Sequence, residues 1–368
     1  MERNEVTKMK YVDEFRNKDI VKKIAAEIKK IGIPANLMEV CGTHTMTIFR
    51  SGLKSLLPKD TNLISGPGCP VCVTSQEDID KMLVCTDIPN TTVTTFGDMM
   101  KVPGTSSNLN NKKADGRDIR VVYSSLDALG IAKENQKRNV IFLAIGFETT
   151  SPTVAATIIK AKEEKIKNFY ILTLHKLIPP AMVALLEAGE SKIDGFICPG
   201  HVSTIIGSKA YEKVAKDFGV PCVISGFEPS DVMESILMLL RQTKKKRISV
   251  EISYTRAVKR EGNKKALEIM NEVFEATDVK WRGIGQIPES GLKLRPEYKE
   301  FDVEKKFNIR VSKSTKKSGC ICGKILRGVK LPTDCKLFAK GCLPENPQGP
   351  CMVSSEGTCA AYYKYGRE

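Results

Sequence analysis

At 368 residues, 41% hydrophobic and 27% charged, the chain can bury a sizeable core and divide into two or three domains, and no apolar run nears the length of a membrane span. The polar start, Met1-Glu2-Arg3-Asn4-Glu5, has no apolar signal core, so a cytoplasmic protein with no membrane association is expected. The net charge of +15 raises nucleic-acid binding, but the lysines are scattered and the aromatic residues do not interleave with them; the basic surface reads as solvated, facing an acidic protein rather than nucleic acid.

Residues 11–30 have the spacing of an amphipathic helix, with Val12, Phe15, Ile20, Ile24 and Ile28 among charges and Gly32 and Pro34 as its stop. Leu37 to Cys41 reads as a strand that stops at Cys41-Gly42-Thr43-His44-Thr45, before a helix over about 45–57. A second strand, Leu63-Ile64-Ser65, runs into Gly66-Pro67-Gly68-Cys69-Pro70-Val71-Cys72 and then a helix from Ser75. Two cysteines two residues apart at such a turn can close a disulfide, hold a soft metal, or pack as buried thiols. The surrounding glycines and prolines fix the turn and let another backbone or a ligand come close. Thr91 to Phe96 makes a third strand, and 97–116 reads as a loop crossing between domains.

From Arg120 strands are expected at 120–124, 139–147, 168–174, 194–198 and 221–226, alternating with helices near 126–137, 152–165, 179–188, 203–218 and 230–242. That alternation predicts a parallel sheet with helices on both faces, with ligands beyond the carboxyl ends of its strands. Glu148-Thr149-Thr150, His175-Lys176, His201 and Glu228 fall at those ends. No internal repeat stands out, although 36–96 and 120–226 are read as two versions of one α/β plan. A helix over 264–276 and a β-rich segment over 281–294 follow, and Pro, Gly and Cys dominate from Ser318.

Twelve cysteines in a chain of this class suit metal and redox chemistry better than a disulfide framework. Six fall in the tail, at Cys320, Cys322, Cys335, Cys342, Cys351 and Cys359. A [4Fe–4S] cluster takes four thiolates and would leave two over, which could form a disulfide beside it. Zinc also takes four, but usually from two close pairs, whereas only Cys320-x-Cys322 is close here; the cluster is the preferred reading. His44, three residues after Cys41, can orient or protonate something bound there, or merely pack. His201, in Pro199-Gly200-His201-Val202, admits a site or a packing role equally, and His175 reads as structural. Cys85 ends a helix-like run, Cys198 and Cys222 lie in apolar strands, and none of the three is assigned chemistry. No P-loop, dinucleotide fingerprint or nucleophile elbow is present.

Cys41-Gly42-Thr43-His44-Thr45, Gly66 to Cys72, Gly146-Phe147-Glu148-Thr149-Thr150, Pro199-Gly200-His201-Val202, Trp281-Arg282-Gly283 and the tail through Ala360-Ala361-Tyr362-Tyr363-Lys364-Tyr365 together resemble the HypD family of [NiFe]-hydrogenase maturation proteins. The likeness runs in order over nearly the whole chain. One departure is Met46, where the family usually has a second histidine.

The expected fold is α/β: two doubly wound parallel-sheet (Rossmann-like) domains facing a cleft, over 34–117 and 118–243, and a third α+β domain from 1–33 and 244–368 carrying the cluster. The resemblance implies a scaffold, more a redox-active maturation protein than a turnover enzyme, on which HypC-like and HypE-like partners assemble an Fe(CN)2CO group. By the match Cys41 is an iron ligand shared with a cysteine of the HypC-like partner, and Cys69 or Cys72 supplies a second thiolate. Cys320, Cys335, Cys342 and Cys359 are expected to ligate the [4Fe–4S] cluster, with Cys322 and Cys351 as a redox disulfide relaying electrons to Cys69 and Cys72. His44, Glu148, Thr149 and His201 would line the cleft. On its own the protein is expected to be a monomer. The alternative is a stand-alone [4Fe–4S]-dependent protein dithiol/disulfide reductase, which uses the same tail but gives Cys41 and His44 no task.

Overall fold

The computed structural model describes residues 17–311 and 319–366. Its strands are β1 (Ala35–Glu39), β2 (Thr61–Ser65), β3 (Thr91–Thr95), β4 (Ile119–Val121), β5 (Asn139–Ala144), β6 (Phe169–Thr173), β7 (Gly195–Pro199), β8 (Cys222–Ser225), β9 (Val250–Ile252), β10 (Phe274–Trp281) and β11 (Gly285–Leu294). Nine of these form two parallel sheets, in the orders β2-β1-β7-β8-β9 and β4-β3-β5-β6; β10 and β11 pair as an antiparallel hairpin. Strands such as Asn139–Ala144 are apolar on both sides because helices cover both faces, which is why they read as continuous runs rather than alternations.

Within each sheet the strand order reverses beside the first strand, between β1 and β7 in one and between β3 and β5 in the other. At such a reversal the flanking connections leave toward opposite faces and open a crevice beyond the carboxyl ends. Cys41 and His201 follow β1 and β7; Glu148 follows β5. Both sheets are therefore doubly wound on the same plan, and the α/β expectation holds.

Sheet membership departs from the expected division at 117/118 and 243/244. Strand β3 pairs with β5, from Thr91 opposite Asn139, so the chain leaves the first sheet after β2, builds the second from 91 to 173, and returns when β7 pairs with β1. The two versions of one plan are thus 35–65 with 195–252, and 91–173, not 36–96 and 120–226. Alternation along a sequence locates strands but carries no information about which sheet each joins. The amino-terminal helix also belongs elsewhere than expected. It spans Lys18–Ile31, starts at Asn17, whose Oδ1 accepts the Asp19 N–H at 2.8 Å, and ends at Gly32 with φ +62°. Its Val21, Ala25 and Ile28 pack with Ile236 and Leu240 of helix Pro229–Lys245 on the first sheet, not with the cysteine tail. Val12 and Phe15 lie outside the described residues.

The helix expected over 45–57 begins at Gly42, runs to Arg50, and continues as a 3-10 turn at Leu53–Leu56. The segment 97–116 contains a short helix, Leu109–Ala114. The helix expected over 203–218 is two, Gly200–Ile206 and Glu212–Phe218, broken at Gly207, whose φ of +76° suits glycine and whose flank is occupied by Arg260 and Gly262 backbone. Helix Lys264–Val273 passes directly into β10, and the hairpin's Phe274, Leu292 and Leu294 join Phe142, Ile158 and Phe169 in the second unit's core. A third core lies between the sheets, joining Met38 and Ile224 with Ile141 and Leu172, and it takes in Cys69, Cys72, Trp281, Cys322 and Cys351. The tail 319–366 consists of short helices and turns packed into that shared core. Among the described residues no helix is long and apolar enough to cross a membrane.

Candidate functional site

Strand β1 delivers Cys41 to the N-terminus of helix Gly42–Arg50. Backbone N–H groups of His44 and Thr43 favour its thiolate, but burial outweighs them and pushes the thiol up to about 12. The imidazole beside it is His201, with Nδ1 3.9 Å from Sγ. His201 lies flat on Phe227, ring centroids 3.8 Å apart, and that partial burial lowers its pKa although the residue remains exposed. His44 turns the other way. Its Nε2–H donates to the Gly226 carbonyl at 2.9 Å, its ring stacks on Phe227 at 5.4 Å, and burial lowers its pKa to about 4. A histidine three residues into a helix that starts at Gly42 points into the core, so His44 anchors the Phe227 loop while His201 faces the thiol.

Glu39, two residues before Cys41, is 1% exposed and clamps three elements. It accepts the Cys41 N–H at 3.0 Å, the Thr45 hydroxyl in a short bond, and a further bond from Ser65; burial pushes its carboxyl up to about 8. Across the gap, Gly66 N–H donates to the Glu39 carbonyl at 2.8 Å and Gly42 N–H to the Gly68 carbonyl at 2.9 Å. A Cβ on Gly68 would overlap the Cys41 backbone. The two cysteine-bearing turns therefore lie backbone against backbone, which only glycine permits. Sequence reasoning missed Glu39; its signal was a lone carboxylate inside Leu37-Met38-Glu39-Val40.

Cys69 caps the single-turn helix Pro70–Val73, its Sγ accepting the Cys72 N–H at 3.3 Å. Pro70 at the first position supplies a preset φ and lacks an N–H that would be orphaned there. The Cys72 thiol faces the Pro350 carbonyl at 4.0 Å, next to Cys351, and it interacts with Cys69 and Cys351, Cys351 in turn with Cys322, and Cys322 with Cys320. Five thiols thus follow one another as neighbours from the Gly-Pro turn to the tail. Burial holds Cys72 well above the usual thiol range. For Cys351 the bond from Cys322 acts downward, but the bond to Cys72 and burial prevail and raise it strongly. Cys320, Cys335, Cys342, Cys351 and Cys359 all line one small apolar cavity, together with Leu337 and Phe338. Gly349 leaves room there: a Cβ would come within 2.6 Å of Cys320 Sγ. Among the described residues, no three His, Cys, Asp or Glu side chains form a single-ion site.

The tail is held against the first sheet by helix Thr358–Tyr365, where Tyr362 packs on Phe49 at 4.4 Å and receives a 3.2 Å hydrogen bond from Lys54 Nζ. Glu356 accepts from the Thr43 hydroxyl at 2.6 Å and covers Gly42 so closely that a Cβ there would meet its Cβ at 2.5 Å. Ser354 donates to Asp98, just past β3, at 3.0 Å. One short segment thereby reaches the carboxyl ends of both sheets. Neither Glu356 nor Ser354 carried a sequence signal.

Glu148 is turned inward. Its Oε1 accepts the Ile178 N–H at 2.9 Å, and burial pushes it up to about 7. Thr149 beside it is half-buried. Glu228 starts helix Pro229–Lys245 in a capping box with Asp231. His175 is buried edge-on to Phe274, and the adjacent Lys176 pairs with Asp78 at 3.1 Å, a packing role as expected. Cys198 and Cys222 are wholly buried on neighbouring strands.

Residues 16–366 match the HypD family, described as a hydrogenase formation hypA family. Among curated relatives, the hydrogenase maturation factor HypD2 of Bradyrhizobium diazoefficiens is 48% identical over 370 residues, covering 98% of this chain and 97% of its own. The hydrogenase maturation factor HypD of Cupriavidus necator is 48% identical over 370 residues, covering 98% of each. A putative hydrogenase expression/formation protein of Methanocaldococcus jannaschii is 47% identical over 349 residues, covering 95% of this chain and 96% of its own.

Proposed function

The chain belongs to the HypD family of hydrogenase maturation factors, and from that premise we propose that it is the scaffold on which the Fe(CN)2CO group of [NiFe]-hydrogenase is assembled and handed on, working with HypC-like and HypE-like partners in the cytoplasm. The observation that carries this reading is the position of Cys351, beside Cys72 on one side and Cys322 on the other within one core, in a fold that also stacks the Cys72 turn on Cys41.

The iron group is the cargo. Cyanide and carbon monoxide favour low-spin iron, for which thiolates are suitable soft ligands. Cys41 supplies one, shared with a cysteine of the HypC-like partner, and Cys69 or Cys72 a second. Because the resting Cys41 thiol is neutral, iron binding must displace its proton, and His201 Nδ1 at 3.9 Å is the adjacent acceptor, exposed enough to pass it to solvent. Thr149 and Glu148 act in the other sheet's crevice, Glu148 as a buried anchor for the chain at Ile178.

Of the five thiols lining the apolar cavity, Cys320, Cys335, Cys342 and Cys359 fit the all-cysteine donor set of a [4Fe–4S] cluster, which leaves Cys351 to pair with Cys322. When bound, the cluster supplies electrons one at a time. Cys322 and Cys351 are the dithiol beside it. Starting from a Cys69–Cys72 disulfide, attack by the Cys351 thiolate on Cys72 forms Cys72–Cys351 and releases the Cys69 thiolate. Attack by Cys322 on Cys351 then forms Cys322–Cys351 and frees Cys72. Two electrons have moved to the Cys69–Cys72 pair.

A free-standing disulfide reductase fits less well. Cys69, Cys72, Cys322 and Cys351 are between 0% and 6% exposed, so a protein disulfide has no approach to them. Infrared spectra of protein co-expressed with HypC-like and HypE-like partners test the assignment: bands of iron-bound cyanide and carbon monoxide are expected, and their absence would refute it. Iron and labile sulfide in equal amounts are expected in anaerobically prepared protein; zinc without sulfide would contradict the cluster.

A further inference from the structure

Trp281-Arg282-Gly283 has no part in the chemistry above, yet its surroundings are specific. The Trp281 indole N–H donates to Ser290 Oγ at 2.9 Å and the ring stacks on Phe147 at 6.1 Å, which fixes the end of β10. The next residue grips the Cys72 turn. Arg282 N–H donates to the Val73 carbonyl at 2.8 Å, Nε to the Thr74 carbonyl at 2.9 Å, and both terminal nitrogens to Gln76 Oε1 at 3.3 Å. Thr74 and Trp281 add an antiparallel bridge. On the far side Gly283, with φ +76°, presses on Gly323, next to Cys322, so tightly that a Cβ would overlap the Gly323 Cα. Arg327, at the end of helix Cys322–Leu326, donates to the Gly283 carbonyl.

Three consecutive residues thus join the turn bearing Cys72 to the helix bearing Cys322, with Cys351 beside both thiols. A one-turn helix such as Pro70–Val73 has no stability of its own and takes its position from such contacts. The planar fork of arginine serves two acceptors in fixed directions, which lysine cannot reproduce.

We propose that Arg282 is a positioning residue for the thiol relay, holding the Cys72 turn within reach of Cys351 while its neighbour Gly283 seats the Cys322 helix. This rests on the relay reading. Thiols held in register react as though highly concentrated, and releasing one end of the clamp lowers that effective concentration.

The test uses cluster-loaded full-length protein carrying Cys69→Ser and Cys322→Ser, which leaves Cys72 and Cys351 as the relay thiols. In glutathione buffer the two thiols and one oxidised glutathione give the Cys72–Cys351 disulfide and two reduced glutathiones, so peptide mapping at graded ratios yields the pair's effective concentration. Arg282→Ala and Arg282→Lys should each lower it at least tenfold. Val232→Ala, a cavity in the first unit's core, should lower the melting temperature without that change. If Arg282→Ala does not fold, Gln76→Ala carries the test, with an expected drop of about threefold from loss of the guanidinium's acceptor. Unchanged values in these clamp variants, or an equal drop in Val232→Ala, would overturn the assignment of Arg282 while leaving the relay standing. A parent that forms no Cys72–Cys351 disulfide would overturn both.

Discussion

Cys41 stands where a helix N-terminus favours a thiolate by about 0.3–1 kcal/mol, yet its burial acts several times more strongly. The thiol is therefore protonated at rest, and in the proposed role it becomes a ligand only when metal arrives and a base is adjacent. Glu39 shows the same dominance of burial, and for it the consequence falls in an accessible pH range. The unfolded chain releases this proton near the usual carboxylate range, whereas the folded protein keeps it until about 8. Between those values the folded state binds the extra proton, so stability falls as pH rises through that window and levels off above it. Glu148, pushed to about 7, adds to the same slope. Urea midpoints measured from pH 4.5 to 8.5 should fall less steeply in Glu39→Gln than in the natural protein, from a lower starting value; equal slopes would contradict the assignment. The exchange of His44 for His201 beside Cys41 was not legible in the sequence. His44 is near Cys41 in sequence, whereas His201 arrives through the pairing of β7 with β1, from Leu37 opposite Gly195.

At the scale of elements, the Gly66 to Cys72 turn and the Cys41 turn behave as one piece because their backbones touch. Gly68→Ala should displace Cys41 and cost about 1–3 kcal/mol or more, read as a lowered urea midpoint. Gly130→Ala is the contrast. It lies in helix Ser125–Glu134 with nothing within 4 Å of its Cβ position, and should stabilise by roughly 0.5–1 kcal/mol. Most strands and helices were legible because period and punctuation mark them: Gly32 stops one helix, and Ser124 and Asp127 box the start of another. The break at Gly207 was not, since it depends on Arg260 and Gly262 approaching from a distant loop. The motif residues of the candidate site were legible as types and spacings, but Glu39, Arg282 and Glu356 owe their roles to contacts that no local pattern announces.

In the whole molecule, the chain threads two like-wound sheets by inserting one into the other, and its tail closes over both. Cys69 and Cys72 share one core with Cys322, Cys342, Cys351 and Cys359, but the cavity is lined by tail residues alone, without Cys41, Cys69 or Cys72. The two proposed metal sites are therefore separable. Cys41→Ala or Cys69→Ala should abolish hydrogenase maturation with iron and sulfide content unchanged. Cys335→Ala should lower that content and the melting temperature together, because metal binding and local folding are coupled. Loss of the cluster in Cys41→Ala would contradict the separation. The central claim, that the tail dithiol and the Gly-Pro cysteine turn form one relay through Cys351, is met most directly by disulfide mapping of the natural chain. Cluster-loaded protein equilibrated at graded glutathione ratios, acid-quenched, alkylated and digested should yield Cys351 in two alternative disulfides, with Cys322 and with Cys72, alongside Cys69–Cys72. Cys351 recovered free at every ratio where Cys69–Cys72 forms, or joined only to some other cysteine, would contradict it.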